Sequence, residues 1–507
     1  MPVIFQRKRI LISDFEDDDA FKRFLKYITV SKLDMYFNEQ SSWAAGYETK
    51  YDGMPVMAIP RRFNTEVLSS VISEDEEVIK DMSDIITPSK RIIKNHAEPR
   101  NDIQIDIMSF LEGKGKFEKL AKKPRKALFA DTGIGKTFLT LKYISKLGYL
   151  SLINVPDDKA VMTWKQEIAK FTDILPEEIG LLAGKESFKK LIKNKDKYKI
   201  IIASSKTFSA AFIAKEYDRV QNFFEEMGIG LLVHDEVHLN LFVVFYLEMI
   251  ASTKKTLYLT ATPNRRIFKE QKILESLMPS DDCIYATQKK ERFLFIEGRY
   301  YSNGVKADYK GVTKPNGTDY NTYSKMIIFN QTKEKKKQFH DFFINDVLIK
   351  AVRFALKNRT SDKYKIAILA KTKLENELIF HALDKVFGKK CKIGVFNSDI
   401  KDMDERFEQT KGDIIISTDK SFAGIINISD LEIIINLYPY SSISHVQQIM
   451  GRIRDEEDKK SIFMQLSDGS VPRIKKAAYK CRSAAAEICE LVEFREFNKP
   501  DTYVEEE

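Results

Sequence analysis

Two series of short apolar runs constrain the fold of this 507-residue chain more than any other feature. The first series is Ala127–Ala130, Tyr149–Val155, Tyr198–Ala203, Gly230–His234 and Thr256–Thr260. Its runs are rich in Ile, Leu and Val, and polar residues do not alternate cleanly with them. A strand with one face in water alternates; a strand covered on both faces by helices does not. A second series follows at Lys365–Ala370, Lys392–Phe396, Asp413–Ser417, Glu432–Leu437 and Ser461–Leu466. Helical patterns fall between the runs, among them Phe138–Leu147, Glu375–Val386 and Ser444–Met450. This alternation predicts an α/β fold with two tandem domains, each built on a parallel sheet.

The rest of the chain is placed around these series. Residues 1–95 are near neutral, with acidic clusters at Asp17-Asp18-Asp19 and Glu74-Asp75-Glu76-Glu77. They read as a small α+β accessory domain, with a linker bracketed by Pro88 and Pro99. The first α/β domain takes 96–285, a connecting segment 286–350, and the second α/β domain 351–471. Residues 472–507 read as a helical tail with an acidic end. The run Lys333-Glu334-Lys335-Lys336-Lys337 is a solvated helix face or a phosphate-contacting patch.

Composition excludes several classes. The chain is 43% hydrophobic and 31% charged, with a net charge of +9, a mild basic bias compatible with a polyanionic partner. Four scattered cysteines form no CxxC pair, and no histidine stands at zinc-ligand spacing. These thiols suit a reducing cytosol. The longest apolar stretch, Leu241–Leu247, falls far short of the ~20 residues of a membrane span, and no secretory signal opens the chain. The expectation is a cytoplasmic protein without a membrane partner.

The first run leads straight into Ala130-Asp131-Thr132-Gly133-Ile134-Gly135-Lys136-Thr137, and a helical pattern follows. Strand, glycine loop and helix together form a phosphate cradle: backbone N–H groups close round the anion, and the helix N-terminus adds partial positive charge. Lys136 can reach the β- and γ-phosphates, and Thr137 can ligate Mg²⁺. Next, His234-Asp235-Glu236-Val237-His238 ends the fourth run. A carboxylate at the C-terminal edge of such a sheet faces the phosphate loop. Asp235 is placed to hold the Mg²⁺ shell and Glu236 to deprotonate the attacking water, their side chains diverging on an extended strand. A surface acidic pair is the plain alternative. Thr260-Ala261-Thr262-Pro263 closes the fifth run with two hydroxyls that can bond to the acidic motif.

This order of elements resembles superfamily 2 helicases and translocases. Their motif I corresponds to Thr132, Gly133, Ile134, Gly135, Lys136 and Thr137; motif II to Asp235–His238; motif III to Thr260–Thr262. The resemblance implies ATP and Mg²⁺ bound between two RecA-like domains, with His238, Thr260 and Thr262 coupling the motifs. It implies that Gln104, in Pro99-Arg100-Asn101-Asp102-Ile103-Gln104, reads adenine; an exposed helix glutamine is the alternative. Pro156 with Trp164 resembles motif Ia, and Ser204-Ser205-Lys206-Thr207 motif Ib, which hold the phosphate backbone of one strand. Packing of its helix on the sheet is the alternative for Trp164. Ser417 and Thr418, through Gly424 and Asn427, resemble motif V. Gln448-Ile449-Met450-Gly451-Arg452 resembles motif VI, where Arg452 reaches the γ-phosphate on closure and Gln448 senses it. The family's second arginine would fall at Asp455. Arg454 lies one residue earlier, a rotation of ~100° on a helix. Either a local bend lets Arg454 substitute, or Arg452 acts alone.

The compact length is most similar to branch-migration helicases of bacteriophages, and Tyr51-Asp52-Gly53 resembles their N-terminal DNA-reading module. The implied activity is an ATP-dependent DNA helicase translocating on the backbone and remodelling forks or branched junctions. Its partner would be DNA as single strand, fork or junction, with RNA also compatible. It would act as a monomer or within a replication or recombination complex. The alternatives are a double-stranded DNA translocase that does not separate strands, and a nucleotide-gated binding switch.

Overall fold

The computed structural model describes residues 3–6, 9–13, 18–33, 39–44, 46–51, 54–60, 77–80, 86–131, 133–261, 268–286, 290–302, 313–314, 317–328, 341–397, 399–400, 405, 408–423, 428, 430–439, 446, 449–453, 459, 461–486 and 489–497. It divides into two compact units, Met1–Thr287 and Gln288–Glu507.

The first unit begins with a sheet of β1 (Val3–Gln6), β2 (Arg9–Ser13), β5 (Tyr47–Tyr51), β6 (Met54–Pro60) and β7 (Glu77–Lys80), in the order β5-β6-β2-β1-β7. Helix α1 (Asp18–Ile28) and a hairpin of β3 (Thr29–Leu33) with β4 (Glu39–Ala44) accompany it. The α+β reading of this region holds, but its isolation does not. Ile12, Phe24, Ile28, Met57 and Ile59 share one core with Val237, Leu241, Val244 and Phe245. The segment read as a linker is also pinned down. Ser89 N donates to Gly228 O at 2.8 Å, Arg91 N to Gly148 O at 2.8 Å and His96 N to Phe171 O at 3.0 Å. Arg91 Nε donates to Tyr198 O at 2.6 Å. Backbone pairing turns the proline-bracketed stretch into a strap along the α/β layer.

That layer is a seven-stranded parallel sheet: β8 (Arg125–Ala130), β9 (Ser151–Val155), β10 (Ile179–Leu182), β11 (Ile200–Ser204), β12 (Leu231–His234), β13 (Lys255–Thr260) and β14 (Cys283–Ala286). Its order is β10-β11-β9-β12-β13-β8-β14. The five expected runs are all present. Edge strands β10 and β14 are additional, so the acidic motif follows the fifth strand of the sheet and Thr260 ends the sixth. Adjacent residues of one strand serve opposite cores: Leu152, Ile201 and Leu232 face one, Ile153, Ile202 and Val233 the other. This is why the runs carry no polar alternation.

Four helices matter for the site. Helix α2 (Asp102–Glu112) is capped by Asn101, whose side chain accepts from Gln104 N at 3.0 Å. Helix α3 (Lys136–Leu147) follows the glycine loop. Helix α4 (Asp158–Phe171) is capped by Asp157, which accepts from Ala160 N at 3.0 Å. Helix α5 (Ser205–Ile213) follows β11. Helix α6 (Leu241–Ile250) contains the longest apolar stretch, because it is sandwiched. Val243, Leu247 and Ile250 pack into the α/β core, while Leu241, Val244 and Phe245 meet the N-terminal module.

The second unit carries another seven-stranded parallel sheet: β15 (Lys290–Tyr300), β18 (Lys365–Ala370), β19 (Ile393–Phe396), β20 (Ile414–Thr418), β21 (Leu431–Asn436), β22 (Ser461–Asp468) and β23 (Cys489–Glu496). The order is β19-β20-β18-β21-β22-β15-β23. A short ladder of β16 (Thr313–Lys314) with β17 (Gly317–Thr318) stands apart. Two expectations are corrected here. The connecting segment 286–350 supplies β15, and the tail 472–507 continues past helix α7 (Pro472–Ala486) into β23, which pairs with β15. The acidic tail end, the run Lys333–Lys337, most of Ser444–Met450, and Asp52 and Gly53 lie outside the described residues. No described helix is long and apolar enough to cross a membrane.

Candidate nucleotide site and nucleic-acid face

The sheet order sets the site. Adjacent strands β8, β13, β12, β9 and β11 end, in that spatial sequence, in the glycine loop, Thr260, the acidic turn, Pro156 and Ser205. Neighbouring strands are roughly 4.8 Å apart, so the glycine loop and the acidic turn rise from strands about 10 Å apart. All five motifs of the first unit therefore share one sheet edge.

In the loop, Gly133 and Gly135 adopt φ of 93° and 99°. A side chain at either position would be strained, so both glycines are required by conformation. Gly135 precedes α3 without any side-chain cap, and the first-turn N–H groups of a 12-residue helix point out of its end. Lys136 Nζ donates to Ala130 O at 2.6 Å, folding over the loop. Gln104 is buried and braces the loop from behind. Its Nε2 donates to Ile134 O at 2.8 Å, and its Oε1 accepts from Arg100 N at 2.8 Å. The exposed-glutamine alternative is thereby removed. Lys126, on β8, donates to Phe110 O and Leu111 O at 2.8 Å each, capping α2, and burial pushes its ammonium pKa down to about 8.

The acidic motif departs from the extended geometry expected of it. Strand β12 stops at His234, and Glu236 sits in a turn at φ 47°. A left-handed non-glycine residue costs about 1 kcal/mol and is typical of functional turns. The turn, not strand alternation, separates the two carboxylates. Asp235 N donates to Asn154 O at 2.9 Å, and Trp164 Nε1 donates to Asp235 Oδ2 at 2.8 Å. Burial and the adjacent Glu236 raise the Asp235 pKa to about 6, against the opposing pull of Trp164 and Lys136. His238 Nδ1 lies 2.7 Å from Thr260 Oγ1 and 3.3 Å from Glu236 Oε2, linking the acidic turn to β13.

Thr137 and Asp235 offer oxygen donors of the kind that suit Mg²⁺. Among the described residues no group of three or more His, Cys, Asp or Glu is placed to hold a metal. Two protein oxygens fit an ion completed by phosphate and water, the usual Mg²⁺ arrangement.

The expected nucleic-acid contacts are less uniform. Ser204 and Ser205 are buried, and Ser205 Oγ donates to Asn154 Oδ1 at 3.1 Å. Burial removes both hydroxyls from any outer surface. Lys206 is exposed and pairs with Asp158 at 3.1 Å, while Thr207 and Pro156 are half-buried. In the second unit Ser417 is fully buried, and Thr418 Oγ1 accepts from Ser421 N at 3.2 Å, starting a short helix. Arg452 is half-buried in a turn, its N–H donating to Ile449 O at 3.0 Å. Thr132, Thr262, Gly424, Asn427, Gln448, Arg454 and Asp455 lie outside the described residues.

Sequence reasoning missed a buried polar chain beneath the acidic turn. Asn154 Nδ2 lies 3.3 Å from His234 Nδ1, and His234 Nε2 lies 3.4 Å from Glu248 Oε1. Polar residues within otherwise apolar runs were its only signal.

Comparison with known proteins adds to this geometry. Residues 88–265 match the family model described as type III restriction enzyme, res subunit. A 147-residue segment is 29% identical to a putative DNA 3'-5' helicase Rad25 of Haloarcula marismortui, covering 29% of this chain and 21% of that relative. A segment of equal length is 29% identical to the DNA 3'-5' helicase XPB of Mycobacterium tuberculosis, again 29% of this chain and 25% of the relative. The aligned part thus spans only a fifth to a quarter of these two relatives. The DNA 3'-5' translocase XPB2 of Sulfurisphaera tokodaii is 22% identical over 370 residues, 68% of this chain and 78% of that one. Among solved structures, Mss116p bound to single-stranded RNA and AMP-PNP superposes with a TM-score of 0.51 at 14% identity, covering 79% of this chain and 78% of the other. That likeness shows the fold: tandem RecA-like domains.

Proposed function

We propose that this chain is a superfamily 2 helicase and an ATP-driven motor on DNA, a reading supported by the matched res-subunit model and the translocase relative. One observation carries the reading: a glycine loop with its lysine, an acidic turn and three further motifs share a single sheet edge. ATP is the substrate. The loop amides and Lys136 bind its phosphates, and Gln104, already bonded to Ile134 O, holds the loop beside the base. Thr137 and Asp235 would hold Mg²⁺, which supplies charge neutralisation at the β- and γ-phosphates. Glu236 takes the proton of the attacking water, and His238 relays its state to Thr260. Arg452 is the proposed stabiliser of the charge developing on the γ-phosphate. Lys206 and Thr207 grip phosphates and not bases, which implies little sequence preference and a steep salt dependence. Forks and branched junctions are the proposed substrates and the cytoplasm the proposed location.

The relatives named DNA 3'-5' helicases support DNA as the track. The relative named a translocase, matched over the longer stretch, supports a second reading: movement along duplex DNA without strand separation. ATPase rates on single-stranded, duplex, forked, four-way-junction and RNA substrates test the proposal. Stimulation by fork or junction above all others is expected, and a rate indifferent to nucleic acid contradicts it. Strand displacement measured beside triplex displacement separates the two readings.

A further inference from the structure

Trp164 carries chemistry that the proposed cycle does not use. Its side chain is 1% exposed, as packing on the sheet requires. Packing alone does not explain where its single polar atom goes. A buried indole N–H needs an acceptor, and this one takes the carboxylate of Asp235 at 2.8 Å, 71 residues away in sequence. The acceptor is one of the two side chains proposed to hold the divalent cation. An N–H donor engages one carboxylate oxygen, Oδ2, and so decides which oxygen is left for the ion.

The donor's helix is anchored at the other motif surface. Helix α4 starts beside Pro156 with Asp158, which pairs with Lys206 at 3.1 Å. From Asp158 to Trp164 is six residues, about 9 Å of helix. One rigid element therefore carries, at its first residue, the partner of a lysine proposed to meet the nucleic-acid backbone and, about two turns on, the donor to the carboxylate. The backbone of Asp235 is fixed separately, by its N–H to Asn154 O at 2.9 Å. With the main chain already held, two donors set the side-chain torsion, the indole and the Glu236 N–H, and the indole is the one that comes from another element.

We infer that Trp164 is a positioning residue for Asp235: by tying Oδ2 to α4 it leaves the other carboxylate oxygen to face the divalent cation. The inference rests on the nucleotide site proposed above.

The test uses the full chain. Trp43 and Trp164 are its only tryptophans, so in a Trp43→Phe background the indole emission is that of Trp164. Titrating Mg²⁺ into the complex with AMP-PNP should change this emission. Trp164→Phe removes the donor, and benzothienylalanine at 164 removes it while keeping the bicyclic shape, should the phenylalanine variant fail to fold. Loss of one hydrogen bond to a charged acceptor should raise the Mg²⁺ needed for half-maximal ATPase about tenfold. Affinity for a fluorescent nucleotide in EDTA should not move, whereas a merely structural defect would weaken both. An unchanged Mg²⁺ requirement in the isosteric variant overturns the inference, provided Lys136→Ala still abolishes nucleotide binding. If Lys136→Ala binds nucleotide normally, the site reading falls and the inference with it.

Discussion

The two large sheets share one strand order and differ in what stands at the end of the first strand. Numbered along the chain within each sheet, both run 3-4-2-5-6-1-7. In the first unit, strand 1 is β8, and it opens into two left-handed glycines and Lys136. In the second, strand 1 is β15, and it runs into Tyr300, Tyr301 and Ser302, all buried. There Asp468, at the end of strand 6, accepts from Ser302 N at 3.3 Å and Ser470 N at 2.9 Å, and also from the hydroxyls of Ser302 and Tyr323. Burial raises its pKa, a buried carboxyl being easier to keep neutral. Open α/β sheets create a crevice beyond their strand ends. Backbone donors in that crevice make a phosphate cradle, whereas buried hydroxyls round a carboxyl close it. The same topology thus carries different chemistry at the end of its first strand in the two units.

The largest expected effect tests this asymmetry directly. Lys136→Ala should reduce ATP turnover by at least ~10²-fold, since the loop loses its cation at the developing charge. Ser302→Ala, at the matching point of the second sheet, should leave turnover within a few-fold and cost roughly 1–3 kcal/mol of stability, seen as a lower denaturation midpoint. Comparable losses of turnover from both would break the comparison. A smaller effect is expected from Gly135→Ala. Its φ of 99° strains any side chain, and the added Cβ would lie 3.0 Å from Gln104 Nε2. Nucleotide affinity should fall about tenfold, for roughly 1–2 kcal/mol of backbone strain; equal affinity in equilibrium binding would show the loop tolerates other conformations. The last effect is on stability and not on turnover, and concerns Lys126. Its folded pKa of about 8 lies below the ordinary 10.5. Between these values the unfolded chain binds more protons, so stability should rise with pH from about 8 upward. Lys126→Met should flatten that slope in denaturation measured across the same range.

Much of the first sheet is readable from sequence because strands buried on both faces announce themselves as continuous apolar runs. Edge strands β10 and β14 escape, being four residues each and carrying Gly180 or a half-exposed Cys283. Strand β15 escapes for a different reason. Its charges interrupt the apolar pattern, yet Glu297 is fully buried, paired with Arg299 at 2.9 Å and Arg482 at 3.3 Å. An ion pair assembled across the fold leaves no local signature. The same holds within the site. The glycine loop is legible because its conformation demands glycine at fixed spacing, and the acidic motif because its carboxylates are adjacent. The turn at Glu236 and the bond from Trp164 to Asp235 depend on long-range packing, and no residue spacing reports them.

The most direct measurement of the central claim is steady-state ATPase with forked DNA for the wild-type chain and for Glu236→Gln. The amide keeps the shape and hydrogen-bonding reach of the acid but cannot take the proton of water. Turnover is expected to fall by about 10²–10⁴-fold, with nucleotide and DNA still bound. A Glu236→Gln protein that turns over at the wild-type rate would contradict the claim that this acidic turn performs the hydrolysis.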